Sequence, residues 1–213
     1  MTPKSWDFLE NYSREVFGVE DDHLAGLMDE AVAAGMPDIA VGADVGRLLG
    51  ILTSMTRGLL AIEVGTLAGY SGIWITRGLR PAGRLITIEP ETKHADFARE
   101  QFQKAGIGER VEIRLGTGIE MLTELTGELE PGSVDVLFLD ALKSEYSEYF
   151  RIARPLIAVG GLVLADNVYG TGSGWIDQGH GTDPFNRLIA TDSDFEAVAV
   201  PLRQGVLIAR RFS

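Results

Sequence analysis

The sequence predicts an α/β fold with a doubly wound, mostly parallel sheet of seven strands, and three features agree on this. From residue 59 onward, short β-prone runs alternate with longer helical patterns, which is typical of parallel strands joined by right-handed helical crossovers. Two β-prone runs near residue 200 are close enough to pair, so they predict a C-terminal antiparallel hairpin. The first 58 residues carry helical spacing and predict N-terminal helices. We expect one domain over residues 1–213, with a helical extension at 1–58 and the core at 59–213.

Each predicted element depends on its apolar spacing and on the residues that bound it. Val45, Leu49 and Leu52 share one face of the third helix, and Asp21 or Asp22 can cap the second. The predicted helices are Ser5–Val16, Asp21–Ala34, Ala43–Met55, Tyr70–Leu79, Thr92–Ala105, Ile119–Leu125, Glu145–Leu156 and Pro184–Ala190. The predicted strands are Leu59–Val64, Arg84–Ile88, Val111–Leu115, Val134–Leu139, Gly161–Ala165, Phe195–Val200 and Gly205–Arg210. Between the fifth strand and the last helix lies a glycine-rich loop, Gly170–Thr182.

The composition limits the classes of protein and of site that the chain can represent. Hydrophobic residues make up 45% and glycines number 26, which favours a packed α/β protein over a disordered one. The absence of cysteine excludes disulfide frameworks and cysteine-based metal sites. We expect no signal peptide and no membrane span, and therefore a cytoplasmic protein. The net charge of −12 disfavours general nucleic-acid binding but is compatible with a divalent cation at a carboxylate site.

The first predicted strand leads into a glycine-rich turn, Glu63–Gly72. Gly65 and Gly69 allow the backbone to turn sharply and to approach a ligand closely. Their G-x-x-x-G spacing differs from the G-x-G-x-x-G of dinucleotide-binding proteins, so no pyrophosphate cradle is expected. In sheets of this kind, ligands bind beyond the carboxyl ends of the strands. Taken alone, the turn is equally compatible with a purely structural role.

Glu89 follows the second predicted strand. An acidic residue about 20 positions beyond a glycine turn can accept hydrogen bonds from both hydroxyls of a ribose. The alternative is an acid at a helix N-terminus, stabilised by the helix dipole. Because a single nucleoside ligand would touch both Glu89 and the turn, the two features together favour a nucleoside site.

Polar side chains follow the fourth and fifth predicted strands. Asp140 and Lys143 come after the fourth, and Asp166 and Asn167 after the fifth. Two carboxylates and an amide oxygen are hard ligands suited to Mg²⁺. The alternative is that the two aspartates cap the segments that follow them. The adjoining amide and the nearby lysine favour the metal site.

These residues together resemble the metal-dependent class I O-methyltransferases of the catechol and caffeoyl-CoA type, in their small bacterial form. The resemblance extends from about Met36 to the C-terminus, and its specific part is Asp140-x-x-Lys143 paired with Asp166-Asn167. It implies a Rossmann-like fold and S-adenosyl-L-methionine as cofactor. It also implies Mg²⁺ or another divalent cation such as Mn²⁺ or Ca²⁺, a small acceptor with vicinal hydroxyls on an aromatic ring, and a homodimer.

The same resemblance gives each candidate residue an expected role. Lys143 would be the base, and Val41 would pack near the cofactor. Asp140 would face both the metal and the cofactor. The other expected cofactor contacts are Glu63, Gly65, Thr66 and Ser71, with Glu89 at the ribose and Gly116, Thr117 and Gly118 near the adenine. The expected metal ligands are Asp140, Asp166 and Asn167.

The chain departs from the family pattern on the acceptor side. Ala141 and Leu142 replace bulkier or polar residues, and Gly170 stands where plant members carry an aromatic substrate contact. The segment Leu202–Gly205 has Arg-Gln where the family has Gly-Asp. These changes leave the expected cofactor and metal sites intact, and they leave the identity of the acceptor open.

Three other functions remain open from the sequence. Relatives with the same scaffold methylate a tRNA wobble uridine, and a basic patch for RNA would use Arg151, Arg154, Arg203, Arg210 and Arg211. The net charge argues against this. The complete set of acidic, amide and lysine residues argues against a non-catalytic cofactor-binding protein, and the glycine spacing argues against a nicotinamide dehydrogenase. His23, His94 and His180 are interpreted as ordinary helix or loop histidines.

Overall fold

In the computed structural model, which describes residues 3–171, 174–175 and 181–213, a seven-stranded sheet runs through the molecule. Its strands are β1 Leu60–Val64, β2 Arg84–Glu89, β3 Val111–Leu115, β4 Val134–Leu139, β5 Ile157–Ala165, β8 Phe195–Val200 and β9 Val206–Arg211. Their order is β3-β2-β1-β4-β5-β9-β8, and β9 runs in the direction opposite to the other six strands. The predicted mostly parallel sheet with a C-terminal antiparallel pair is confirmed.

Helices cover both faces of this sheet. They are α1 Pro3–Phe17, α2 Asp22–Ala33, α3 Ala43–Ser54, α4 Tyr70–Gly78, α5 Thr92–Lys104, α6 Gly118–Glu128, α7 Tyr146–Ala153 and α8 Asp183–Ala190. One buried core, with Leu49 and Phe102, lies under α2–α5, and a second, with Phe150 and Phe185, lies under α6–α8. The central strands β1, β2 and β4 are therefore buried on both sides, as strands in the middle of a parallel sheet are, whereas the edge strands β3 and β8 are partly exposed. Within the described ranges, no helix is long and apolar enough to cross a membrane.

Most predicted bounds differ from those of the structure by a few residues, and two of the differences have a clear physical cause. The helix predicted over Glu145–Leu156 is α-helical only in α7, and a single 3₁₀ turn follows it. The reason is Pro155, which has no N–H and disfavours a helical conformation in the residue before it. Strand β5 begins at Ile157 and not at Gly161, because it pairs with β4 on both sides of a bulge.

The glycine-rich loop predicted at Gly170–Thr182 is described only in part. Strands β6 Gly170–Thr171 and β7 Gly174–Trp175 form a short antiparallel hairpin. At the end of the loop, the Thr182 hydroxyl donates a 2.9 Å hydrogen bond to the Val168 carbonyl. His180 lies outside the described residues, so its interpretation stays a prediction.

The carboxyl ends of the central strands meet at one edge of the sheet, and backbone hydrogen bonds continue beyond them. The Asp140 N–H donates to the Val64 carbonyl over 2.9 Å, and the Asp166 N–H donates to the Leu139 carbonyl over 3.0 Å. At Gly65 the backbone has φ +102°, and a Cβ there would lie 2.3 Å from the Asp140 carbonyl oxygen. Glycine is therefore required for the turn after β1 to pass the end of β4.

Candidate active site

A cavity of about 520 Å³ opens at this edge of the sheet. Its size is typical of small-molecule sites. The glycine turn, the segment Pro37–Val41 and the residues that follow β2, β4 and β5 form its walls. Of the predicted site residues, those that line it are Val41, Gly65, Thr66, Ser71, Glu89, Asp140, Lys143 and Asn167. The structure therefore brings most of the candidate residues together around one space.

Glu89 is nearly buried, and hydrogen-bond donors reach both of its carboxylate oxygens. Oε2 accepts from the backbone N–H groups of Thr66 and Leu67, at 3.2 and 2.8 Å. Oε1 accepts from the Glu91 N–H at 3.1 Å and lies 3.2 Å from His94 Nδ1. Each oxygen thus has two donors, which is its ordinary capacity. A ribose hydroxyl that binds here must replace one of these donors.

His94 is a cavity residue that the sequence interpretation missed. Its side chain lines the cavity beside Glu89 and is 21% exposed. The helical pattern of α5 gave no reason to single it out. The available signal was its position in the first turn of α5, a helix that begins soon after the strand ending at Glu89. A residue in that first turn lies near the carboxyl end of the strand.

Glu63 lies behind the cavity and does not line it. The side chain is completely buried, and its two oxygens accept hydrogen bonds from Ser71 Oγ and Thr87 Oγ1, both at 2.6 Å. Burial raises the pKa of Glu63 to about 7, against the opposing effect of these two hydrogen bonds. Ser71 does line the cavity, so Glu63 orients a wall residue from behind. Its direct contact with a cofactor stays a prediction.

Gly116, Thr117 and Gly118 lie just after β3, outside the set of residues that line the cavity. The Gly116 N–H donates to the Glu89 carbonyl at 3.0 Å. Thr117 caps α6 through a reciprocal capping box. A Cβ on Gly118 would lie 2.6 Å from the Tyr149 ring, so glycine is needed there for packing. Their role near an adenine stays a prediction.

Lys143 lies in the short turn that follows β4. Its Nζ donates to Asp140 Oδ1 at 2.6 Å and to the Tyr146 hydroxyl at 2.7 Å. The Tyr146 hydroxyl in turn donates to the Leu139 carbonyl at 2.9 Å. Burial, with the negative charges of Asp140 and Asp166, raises the pKa of Tyr146 well above its ordinary value. Tyr146 therefore keeps its proton and acts on Lys143 as a fixed, neutral acceptor.

Asp166 is 2% exposed, and its Oδ1 has no hydrogen-bond partner among the described residues. Burial and the charge of Asp140 raise the pKa of Asp166 to about 6, although Lys143 acts in the opposite direction. The Asn167 amide donates from Nδ2 to Gln204 Oε1 at 3.3 Å, which leaves its own Oδ1 as an acceptor. A buried oxygen without a partner needs an explanation, and a hard cation is one.

Histidine, aspartate and glutamate side chains do not form a cluster of three or more suited to a metal anywhere in the described ranges. The predicted set has only two carboxylates, and its third member is the Asn167 amide. Magnesium sites in proteins often have one or two carboxylates and complete their coordination with water and substrate. The donor set therefore fits such a cation, with Asp166 Oδ1 as the observation in its favour.

Comparisons with known proteins agree with this architecture. A family model described as O-methyltransferase matches residues 13–212. A catechol O-methyltransferase of Niastella koreensis is 39% identical over 168 residues, which are 79% of this chain and 76% of that protein. An O-methyltransferase structure from Bacillus cereus in complex with SAH has a TM-score of 0.85 at 30% identity, over 98% of this chain and 99% of that one. For TomG of Streptomyces achromogenes, involved in tomaymycin synthesis and in complex with SAM, the TM-score is 0.84 at 31% identity, over 100% of both chains.

Proposed function

The chain belongs to the O-methyltransferase family, and we propose that it methylates one hydroxyl of a small vicinal-dihydroxy aromatic with the help of a divalent cation. Like its matched relatives, it is an S-adenosylmethionine-dependent O-methyltransferase. The observation that carries the proposal is Asp166 Oδ1, a buried oxygen without a partner beside the pair formed by Asp140 and Lys143. This arrangement lies at a cavity of small-molecule size.

Bound S-adenosylmethionine supplies an electrophilic methyl group. On this proposal, Val41, Gly65, Thr66 and Ser71 contact the cofactor from the walls of the cavity, as their positions allow. Glu89 binds the ribose hydroxyls after it releases one of its present donors. Glu63 acts as a positioning residue, because its buried carboxyl orients Ser71. The adenine is assigned to the region of Gly116, Thr117 and Gly118.

Asp140, Asp166 and Asn167 would hold the divalent cation, with Mg²⁺ as the first candidate and Mn²⁺ or Ca²⁺ as alternatives. A cation bound there would lower the pKa of an acceptor hydroxyl and fix its position. The buried Asp166 carboxylate is well suited to this, because a nearby positive charge offsets its desolvation. The side chain of Gln204 accepts a hydrogen bond from the Asn167 amide nitrogen, so the Asn167 amide oxygen is left to bind the cation.

Lys143 Nζ would take the proton from the reacting hydroxyl. The ion pair with Asp140 holds Nζ beside a proposed metal ligand, 2.6 Å from Oδ1. Tyr146 fixes the position of Nζ through its hydroxyl. General-base assistance of this kind is typically worth about 10²–10⁴-fold in rate.

A small acceptor is also supported by the pairing of three of the five arginines that a basic RNA-binding patch would use, since Arg151 pairs with Glu148 at 3.4 Å and two others are paired as well. Arg154 is paired with Asp192 at 2.6 Å, and Arg211 lies 3.9 Å from Asp194. These arginines are neutralised by neighbouring carboxylates, and the whole chain carries a charge of −12. An extended basic surface for tRNA is therefore not favoured.

The test is methyl transfer from labelled S-adenosylmethionine to catechol, with Mg²⁺ present or removed by EDTA. EDTA should abolish transfer and Mg²⁺ should restore it. Asp166→Asn should raise the Mg²⁺ concentration needed for half-maximal rate by about 10-fold or more. The matched control is Asp96→Asn, an exposed aspartate on α5 that pairs with Arg99. Transfer that EDTA does not affect would exclude the metal role, and label on bulk tRNA in place of catechol would favour the wobble-uridine alternative.

A further inference from the structure

Arg203 lies in the turn between β8 and β9, at the sheet edge where the cavity opens. Its backbone is left-handed, with φ +51°. The turn is closed by a 2.9 Å hydrogen bond from the Gly205 N–H to the Leu202 carbonyl. A second bond, from the Tyr169 N–H to the Gln204 carbonyl at 2.8 Å, fastens the turn to the segment after β5. Arg203 is therefore held next to the segment that carries Asp166 and Asn167.

The non-glycine residues with left-handed backbone in the described ranges are Leu67, Asn167 and Arg203. Leu67 and Asn167 both line the cavity, and Arg203 stands beside it. A left-handed backbone costs a residue other than glycine roughly 1–2 kcal/mol, and such residues cluster at functional sites. An arginine at a position that glycine fills without strain indicates a use for the side chain.

The guanidinium of Arg203 lies against the wall of the cavity. Its Nη1 is 3.4 Å from the carbonyl oxygen of Ala40, a residue that lines the cavity. The same nitrogen is 3.3 Å from the place where a Cβ on Gly42 would stand, and Asp44 Oδ1 is 2.8 Å from that place. Arg203 and Asp44 are thus neighbours, yet no carboxylate of the described residues is within ion-pair distance of the guanidinium.

Among the described residues, the guanidinium has a single hydrogen bond, and at 3.4 Å this bond is weak for a group with five N–H donors. A simple tether for the segment around Ala40 would need neither the charge nor the fork of a guanidinium. A planar guanidinium matches a carboxylate, with two parallel hydrogen bonds assisted by charge. The half-buried position of Arg203 reduces competition from water for such a pair.

We propose that Arg203 binds an anionic substituent of the acceptor, so that the preferred substrate is a dihydroxy aromatic carboxylate and not a neutral catechol. This inference rests on the proposed function and adds the substrate class to it. Arg203 then acts as a specificity residue that contacts a substituent of the acceptor other than the reacting hydroxyl.

The experiment compares 3,4-dihydroxybenzoate with 3,4-dihydroxybenzamide, which has nearly the same shape but no charge, and repeats the comparison with the 2,3-isomers. The wild type should prefer the acid of at least one pair by about 10-fold in kcat/KM. Arg203→Met should abolish this preference by raising KM for the acid, while the amide reacts as before. Arg203→Lys should retain part of it. Arg80→Met, an exposed arginine near the amino end of β1, is the matched control and should behave as the wild type.

Three outcomes would overturn the inference. In the first, the wild type shows no preference for either acid over its amide. In the second, Arg203→Met slows acid and amide equally, which is the result expected of a tether for the wall segment. In the third, the wild type methylates none of the four compounds, and the proposed function fails as well. Calorimetric titration with S-adenosylmethionine shows whether each variant keeps its folded cofactor site.

Discussion

Lys143 and Asp140 form an ion pair in the candidate active site, with 2.6 Å between Nζ and Oδ1. The pair places a proton carrier beside a proposed metal ligand, so loss of the amine should remove general-base catalysis. We expect Lys143→Ala to lower kcat by about 10²–10⁴-fold, measured with labelled cofactor across pH 6–9. Lys104→Ala is the matched control, because Lys104 forms a surface ion pair of 2.7 Å with Glu30. Full methyl transfer by Lys143→Ala over this pH range would exclude the base role.

Tyr146→Phe tests whether the position of Lys143 depends on the buried hydroxyl. The substitution removes one of two donors to the Leu139 carbonyl, which keeps the Asp166 N–H, and one of two acceptors of Lys143 Nζ, which keeps Asp140. We expect the free energy of unfolding in urea to fall by about 0.5–1.5 kcal/mol. We also expect kcat to fall and its pH profile to shift. Tyr149→Phe is the control on the same helix, since its hydroxyl donates to Glu145 outside the cavity. An unchanged pH profile for Tyr146→Phe would reduce Tyr146 to a structural role.

Glu63 should make the stability of the protein depend on pH. Its pKa rises from an ordinary value of 4.5 to about 7 on burial, so the folded state binds a proton more tightly than the unfolded state does. Stability should therefore decrease as the pH rises from about 4.5 to 7 and level off above that, by about 3 kcal/mol in all. Glu63→Gln should remove this part of the slope. Urea denaturation at several pH values measures it, and equal slopes for the variant and the wild type would contradict the prediction.

His94 should compete with the cofactor for Glu89. The ribose hydroxyls need acceptor positions on Glu89, and the His94 ring is the one side chain among its four donors. We expect His94→Ala to lower the Kd for S-adenosylmethionine by about fivefold, measured by calorimetry. Glu89→Gln should raise it. His23→Ala, on α2 away from the cavity, is the control. Weaker binding by His94→Ala would instead make the histidine part of the cofactor contact.

The fold and the edge of the sheet where the site lies could be predicted because both depend on local pattern. Alternating strands and helices fix a parallel sheet, and a parallel sheet places the residues after its strands on one edge. Gly65, Glu89, Asp140 and Asn167 lie around the cavity at the edge that this reasoning predicts. Each of them lies at the end of a strand or within two residues after it, so the prediction of their position requires no knowledge of distant packing.

The direction of side chains inside elements could not be predicted in the same way. Glu63 points behind the cavity because Ser71 and Thr87, from two other elements, supply its hydrogen bonds. His94 reaches the cavity because α5 begins so soon after β2. Arg203 lies beside the cavity because β9 inserts between β5 and β8, which brings the β8–β9 turn to the cavity wall at Ala40. These contacts join residues distant in sequence, and periodicity carries no information about them.

Because the backbone is left-handed at Leu67, Asn167 and Arg203, a substitution there that raises the thermal stability of the protein would also reduce its selectivity for the acceptor. Glycine at any of them would relieve roughly 1 kcal/mol or more of strain, and each change would delete a side chain at or beside the cavity. Directed evolution toward heat resistance should therefore find these positions early. Sequencing of heat-selected variants would reveal the glycines, and a wider range of accepted acceptors should accompany them.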